Sequence, residues 1–167
     1  MFVVSIDSPQ QHSAMVEKLA LPFPMLSDPD RSGMIEPLGV ADPNDHRNLS
    51  RPAMIMFDTD GGERWRFVSR DYADRLPEDA ALEIARSLDL PPTTQVAPTV
   101  VDPQPGPRAM PLDGLPFYLR GARFAAQAMG LRHKDLAEEI KEDSKAYVAE
   151  MDLMLEAVKE LRARLEG

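Results

Sequence analysis

The chain contains no cysteine among its 167 residues. Its absence excludes disulfide bonds, thiolate metal ligands and thiol chemistry by the chain's own residues. Basic residues are also few, because 19 Lys and Arg stand against 28 Asp and Glu and give a formal net charge of −9. Nucleic acids and anionic membrane surfaces attract clustered positive charge, so we expect neither as a partner.

Long apolar runs are missing as well. No stretch approaches the roughly 20 residues that a membrane-spanning helix needs. The first ten residues, MFVVSIDSPQ, lack the basic start and long apolar centre of a secretory signal, so the predicted location is the cytoplasm. A hydrophobic fraction of 43% and a charged fraction of 28% are typical of a folded globular protein.

Proline is unevenly distributed and divides the chain into three predicted parts. Eight of the 16 prolines fall in residues 91–116, PPTTQVAPTVVDPQPGPRAMPLDGLP, which predicts an extended linker. We therefore expect a globular domain over residues 1–90 and a helical tail over residues 117–167.

Strands and helices alternate in the pattern of residues 1–50. The β-branched run at residues 2–6 predicts a buried strand. Ser8 as N-cap and Pro9 as first helical residue predict a helix to about residue 20, with an inner face of Met15, Val16 and Leu19. After an extended segment at residues 23–26, a short helix is expected to end at Pro37 and Gly39.

A β-hairpin and a last helix complete the predicted domain, whose class is α/β. Residues 53–57 form the buried strand, and the sequence TDGG at residues 59–62 supplies the turn. In the following strand Trp65 and Phe67 alternate with two arginines, as in a half-exposed strand. Pro77 is expected to begin the helix, with an inner face of Leu82, Ala85 and Leu88.

The segments VVSIDSPQQH, LPFPMLSDPDR, PLGV and RPAMIMFDTDGGERW occur in an order that resembles a known family. They are similar to the peroxiredoxin-like, thioredoxin-fold alkyl hydroperoxide reductases and thiol-specific antioxidants, over about residues 2–88. Pro37 and Leu38 depart from the pattern, because the family usually has a small residue and Tyr there. The resemblance implies a strand and helix upstream of residue 2 that carry the peroxidatic cysteine in a Thr/Ser-x-x-Cys motif.

The same resemblance implies an incomplete thioredoxin-like domain, because the upstream strand would lie between the strands at residues 2–6 and 53–57. Each unpaired buried backbone group costs on the order of 1–3 kcal/mol, against a domain stability of about 5–15 kcal/mol. The two strands could pair directly, a second copy could fill the gap, or the polypeptide could be longer. We favour a fragment or mis-started reading frame, because Met1 lies in or beside the first strand.

Arg51 and Pro52 are the predicted site residues. The resemblance implies that Arg51 steadies the peroxidatic thiolate and polarises the peroxide, since a thiolate needs a nearby cation. It also implies a cis-proline facing the site at Pro52. From the residues alone, a surface arginine and an ordinary strand-starting proline remain open. No cofactor or metal is predicted.

Other polar residues give weaker site hypotheses. Ser5, Asp7 and Ser8 end the first strand, where open α/β sheets bind ligands, but helix capping and turn formation are favoured. His12 is expected on an exposed helix turn. No His is expected near a Ser in the arrangement of a catalytic triad, so a serine hydrolase is not supported. A loop could hold a metal, although a solvated loop is favoured; its residues are Asp42, Asn44, Asp45 and His46.

The tail predicts two amphipathic helices, at residues 115–130 and 131–166. In the first, Phe117, Phe124 and Met129 mix with small Ala and Gly residues. The second has near-heptad apolar spacing, at Ile140, Tyr147, Met151, Met154, Val158, Leu161 and Leu165, widened by Leu136, Val148 and Leu155. We expect a helical hairpin or a dimerising tail, and a homo-oligomer formed through the sheet gap, the 131–166 helix, or both.

Two functions remain in view. The first is a truncated peroxiredoxin-like thiol oxidoreductase, whose parent reduces hydroperoxides through a cysteine thiolate that another thiol regenerates. The present chain would be inactive alone, because it has no cysteine. The alternative is a non-catalytic thioredoxin-like module for interaction or oligomerisation.

Overall fold

The computed structural model describes residues 1–70, 76, 78–91, 96–133 and 138–166. Helices and small sheets are both present, which is compatible with the predicted α/β class. In order, the elements are β1 (Val3–Ser5), α1 (Pro9–Leu19), β2 (Met25–Ser27), β3 (Ala53–Phe57), β4 (Glu63–Val68), α2 (Glu78–Ser87), a 3₁₀ helix (Leu112–Gly114), α3 (Leu115–Arg132) and α4 (Glu138–Glu166). The chain falls into two compact units: Met1–Glu17 with Leu21–Pro105, and Lys18–Ala20 with Gly106–Gly167.

Two separate two-stranded sheets form the β-structure of the described part of the first unit. β1 runs parallel to β2, with Val3 opposite Met25. β3 runs antiparallel to β4, with Ala53 opposite Val68 and an irregularity between Met56 and Phe57. β1 and β3 therefore do not pair with each other.

The predicted hairpin is confirmed. An Asp58 carboxylate oxygen accepts N–H bonds from Asp60 at 3.0 Å and from Gly62 at 2.7 Å. Gly61 has a φ of +81°, a conformation that glycine adopts without strain. Along β4, Trp65 and Phe67 are half-buried while Arg64 and Arg66, which alternate with them, are exposed, as the pattern predicts.

The two strands expected to be buried are less covered than predicted. β1 is half-buried throughout, and in β3 Ala53, Met54 and Phe57 are exposed. A two-stranded sheet leaves one edge of each strand unpaired and gives its faces little cover, so an apolar sequence alone does not bury a strand.

The expected short helix before Gly39 is replaced by a series of turns. The Asp28 carboxylate accepts N–H bonds from Gly33, Met34 and Ile35 at 2.8–2.9 Å. The backbone bond from Glu36 N–H to the Arg31 carbonyl spans five residues. Because a side chain takes the amides and the backbone bonds vary in span, no regular helix forms.

The inner faces of the two helices in the first unit differ in part from the prediction. On α1 Val16 is buried and Leu19 half-buried, but Met15 is exposed. On α2 Ala81 is buried, and Ala80 and Ile84 are half-buried. Leu82 and Ala85, which were expected to face inward, are exposed, so the inner face is rotated by about one residue. Leu88, just beyond the end of α2, is half-buried as expected. The predicted start at Pro77 lies outside the described residues.

Part of the Pro-rich segment lies against α1. The Val101 N–H donates to the Ser13 hydroxyl at 2.9 Å, and the Gln104 N–H donates to the Gln10 carbonyl at 3.1 Å. The predicted division of the chain at residues 90 and 116 stays a prediction.

The second unit is an antiparallel helix pair. Arg123 on α3 forms an ion pair with Asp152 on α4, and Arg162, later on α4, pairs with Asp113, which precedes α3. The two helices therefore run in opposite directions. Leu119, Met151 and Val158 form the buried core, against which pack Leu112, Leu115, Ala122, Met154 and Leu155.

One prediction for the tail needs correction, because the boundary expected at residue 131 is displaced and α3 continues to Arg132. Phe117, Phe124 and Met129 are exposed, since α3 meets α4 through Leu115, Leu119 and Ala122. Residues 134–137, which include Leu136, lie outside the described part. No helix among the described residues is long and apolar enough to cross a membrane.

Candidate functional site

Arg51 and Pro52 lie immediately before β3 and are held by main-chain bonds on both sides. The Arg51 N–H donates to the Val40 carbonyl at 2.8 Å. The Pro52 carbonyl accepts both the N–H and the hydroxyl of Ser69, at 2.9 and 2.8 Å. Ser69 has no exposed surface. Its two hydrogen bonds to Pro52 therefore fix the start of the strand.

The Arg51 side chain is half-buried and retains unused hydrogen-bond donors. One terminal nitrogen donates to the Gly39 carbonyl at 3.4 Å. Nε is buried without a hydrogen-bond partner among the described residues. A guanidinium keeps its charge at any ordinary pH and offers five donors, so Arg51 can hold an anion in addition to Gly39.

The cis-proline expected at position 52 is not found. The described residues contain no cis peptide bond, so the Arg51–Pro52 bond is trans. The site role of both residues does not depend on that isomer and stays a prediction.

A continuous series of hydrogen bonds connects the end of β1 to Arg51. The Asp28 N–H donates to the Ser5 carbonyl at 2.8 Å, and the Asp28 carboxylate binds the 33–35 amides. The Val40 N–H donates to the Ile35 carbonyl at 3.1 Å, and the Val40 carbonyl receives the Arg51 N–H. The amide of Ile35, helped by those of Gly33 and Met34, holds the pKa of Asp28 below its ordinary value. Asp28 is a positioning residue that the sequence analysis missed.

His12 lies between the ends of two parallel strands. Its Nε2 is 2.8 Å from the Ser5 hydroxyl, and its Nδ1 is 3.3 Å from the Ser27 hydroxyl. Only 4% of the residue is exposed. The prediction that His12 is exposed is therefore wrong. Burial lowers the pKa of His12, while the charge of Asp7 acts in the opposite direction.

The direction of the hydrogen bonds around His12 does not match a serine hydrolase. The Ser5 hydroxyl donates its proton to the Asp7 carboxylate at 2.9 Å. In its contact with His12 the Ser5 oxygen is therefore the acceptor, and His12 Nε2–H is the donor. Nδ1 then accepts the Ser27 hydroxyl proton. In a hydrolase the imidazole takes the serine proton and a carboxylate holds its other nitrogen. The arrangement instead ties α1 to β1 and β2.

Ser8 performs the capping role that the pattern favoured. Its hydroxyl accepts the Gln11 N–H at 3.3 Å, and the Gln11 side chain accepts the Ser8 N–H at 2.8 Å. These two bonds form a reciprocal capping box at the start of α1.

The loop of residues 42–46 has its carboxylates engaged by protein donors. Arg47 binds both oxygens of Asp45 and lowers the pKa of Asp45 to about 2. An oxygen of Asp42 accepts the Asn44 N–H at 2.9 Å. Across the part of the chain that the structure describes, no three His, Asp or Glu side chains are grouped so as to hold a metal ion.

Comparison with known families gives one match. Residues 1–65 match the model of the AhpC/TSA family, and the matched range includes Arg51, Pro52, Asp28 and His12. No curated protein and no solved structure matches the chain. Residues 1–65 therefore have the sequence pattern of the AhpC/TSA family, and the peroxiredoxin-like resemblance predicted from the sequence is confirmed over that range.

Proposed function

We propose that this chain is the cysteine-free part of a peroxiredoxin-like thiol oxidoreductase of the cytoplasm. In this proposal a segment that precedes residue 1 in the same polypeptide supplies the cysteine. Arg51 and Pro52 shape the site that the cysteine completes. The family match over residues 1–65 supports the family. The proposed missing strand is supported by one observation, the division of the described β-structure into two small sheets.

A further strand can form hydrogen bonds with both sheets at once. β1 pairs only with β2 and β3 only with β4 among the described strands, so β1 and β3 each have an edge free. A strand inserted between them would pair with both and join the sheets into one, as a thioredoxin-like fold requires. Unpaired strand edges readily accept a further strand, which gives the insertion a physical driving force.

Arg51 supplies what a cysteine at the end of such a strand needs. A guanidinium with free donors stabilises a thiolate and hydrogen-bonds a peroxide oxygen. The thiolate sulfur attacks one peroxide oxygen, an S–O bond forms and the O–O bond breaks. The alkoxide leaves and takes a proton from solvent. Sulfur is oxidised to sulfenic acid, and the peroxide is reduced to an alcohol. One external thiol condenses with the sulfenic acid to a disulfide and releases water, and a second thiol reduces this disulfide and restores the cysteine.

The test compares the present chain with a version extended by a family-type strand and helix bearing Thr-x-x-Cys. With hydroperoxide and a dithiol reductant, we expect background consumption by the chain alone and turnover by the extended protein. In the extended protein, Arg51→Gln should lower kcat/KM about 100-fold, as expected for loss of a positioned cationic donor, and should raise the thiol pKa.

Arg64→Gln is the matched control, because Arg64 lies on β4 and its side chain pairs at the surface with Asp58. It should leave both readouts unchanged. Turnover by the cysteine-free chain would contradict the proposal, as would full activity of the extended Arg51→Gln protein.

A second function is supported by the apolar surface of the helical unit. Side chains such as Tyr118 and Leu165 are exposed on α3 and α4. A non-catalytic module that forms homo-oligomers through the sheet gap or through the 131–166 helix accounts for such a surface. It is favoured if the 167-residue chain is the native protein, folds by itself and assembles.

A further inference from the structure

The outer face of α3 carries a regular apolar stripe. Its residues are Phe117, Gly121, Phe124, Ala128 and Leu131, which we call the α3 stripe. They are spaced four, three, four and three residues apart, the repeat of a coiled-coil seam. The three large side chains are 74%, 63% and 68% exposed in chain order. A monomeric protein seldom leaves such a continuous apolar stripe in water.

The α3 stripe is distinct from the face that packs on α4. Leu119 and Ala122 belong to the core with Met151 and Val158, and the Ser144 hydroxyl donates to the Ala126 carbonyl. These contacts lie on the opposite side of α3. The helix therefore has two apolar faces, of which α4 covers one.

We propose that the α3 stripe is a self-association surface that pairs with the same stripe of a second copy in antiparallel orientation. Large and small side chains alternate along it. In a parallel pair, equivalent positions meet, so Gly would face Gly and Phe would face Phe. In an antiparallel pair centred between residues 122 and 123, Phe124 of one copy lies over Gly121 of the other. Phe117 then lies over Ala128, and each layer has one large and one small side chain.

The space and the charges along the stripe fit this register. A Cβ atom added at Gly121 would have no other atom within 4 Å. The glycine therefore leaves open space that Phe124 of the second copy can enter. Arg120 borders the stripe. In the antiparallel pair it would lie opposite Gln127 of the second copy, so the two copies of Arg120 would not repel each other. Arg123 is already paired with Asp152. α3 contains no acidic residue, so the pairing leaves no buried carboxylate.

The area is sufficient for a weak dimer. An aromatic side chain buries about 150–250 Å² when fully covered, so four phenylalanines and two leucines would bury on the order of 1,000 Å². That is close to the lower limit of about 1,000 Å² for a specific interface. The dimer should therefore dissociate on dilution.

Sedimentation velocity of the full chain over about a hundredfold dilution tests the association. We expect a species of twice 18.6 kDa that gives way to monomer as concentration falls. Phe124→Asp should remove the dimer and leave the helical circular dichroism unchanged. Leu153→Asp, at an exposed position on α4, is the control and should not change the dimer. Persistent monomer, or a dimer lost only in Leu153→Asp, would overturn the proposal.

Orientation can be tested cleanly because the chain has no cysteine. A mixture of R120C and Q127C proteins should form a mixed disulfide that neither forms alone. A128C should not link to itself, because antiparallel packing separates its two copies by about 16 Å. Gly121→Leu should weaken the dimer at least tenfold while favouring the helix. Self-linking of A128C, or a stronger Gly121→Leu dimer, would contradict the antiparallel arrangement.

Discussion

His12 is the residue at which sequence and structure differ most, and its burial predicts a pH effect. Because the folded pKa lies below the ordinary value of 6.5, the unfolded chain binds more protons as the pH falls. The free energy of unfolding should be at its full value above pH 6.5 and should fall as the pH drops through the folded pKa. Trp65, the single tryptophan, lies in the same unit, so its fluorescence in urea titrations reports the change.

The variant His12→Gln should lose most of that pH dependence, since glutamine has no proton to gain. The control is His46→Gln, at an exposed loop position, which should keep the wild-type dependence. An unchanged slope in His12→Gln would show that other groups cause the acid sensitivity.

Asp28 gives a second residue-scale prediction. Asp28→Asn removes one of the two oxygens that receive the amides of Gly33, Met34 and Ile35, and the turn segment that supports Arg51 should loosen. Hydrogen exchange at these three amides should become faster. Asp30→Asn is the matched control, because Asp30 is exposed and, among the described residues, its side chain binds only Ser32. Equal exchange in the two variants would contradict the positioning role.

At the scale of elements, the helix pair depends on Leu119. Leu119→Ala removes a side chain that is 6% exposed, so the unfolding free energy of α3 and α4 should fall by about 2–4 kcal/mol. Far-UV circular dichroism during thermal melting measures it. Leu153→Ala, at a position that is 70% exposed, should change stability by less than about 0.5 kcal/mol. A similar loss in both variants would mean that the core is misassigned.

Elements that depend on neighbouring residues were predictable from the sequence. The hairpin over β3 and β4 follows from the turn residues between Asp58 and Gly62, and the start of α1 follows from Ser8 and Pro9. Elements that depend on distant contacts were not. His12 is buried because β1 and β2 pair in parallel, a contact between segments about twenty residues apart. The turns after Asp28 replace a helix because its carboxylate binds amides five to seven residues away.

The helical tail illustrates the same limit. α3 has two apolar faces, and the period of its sequence does not say which one meets α4. Phe117 and Phe124 are the largest apolar side chains of this helix, yet the structure packs Leu119 and Ala122 against α4 and leaves both phenylalanines exposed. This packing leaves the α3 stripe uncovered by α4.

At the scale of the whole molecule, the proposed function predicts that a strand inserted between the two sheets would place β1 and β3 in the interior of one sheet. In a polypeptide extended by the cysteine-bearing segment, the amides at the free edge of β3 should therefore exchange more slowly than in the 167-residue chain. Exchange within the β3–β4 ladder serves as the internal reference. Equal protection in both proteins would contradict insertion next to β3.

The most direct test of the proposed function is the intact mass of the endogenous protein, with sequencing of its N-terminal peptides. The proposal predicts a mass above 18.6 kDa and a peptide that carries Thr-x-x-Cys before the sequence MFVVSIDS. A native mass equal to that of the 167-residue chain would contradict the thiol oxidoreductase proposal and would favour the cysteine-free interaction module.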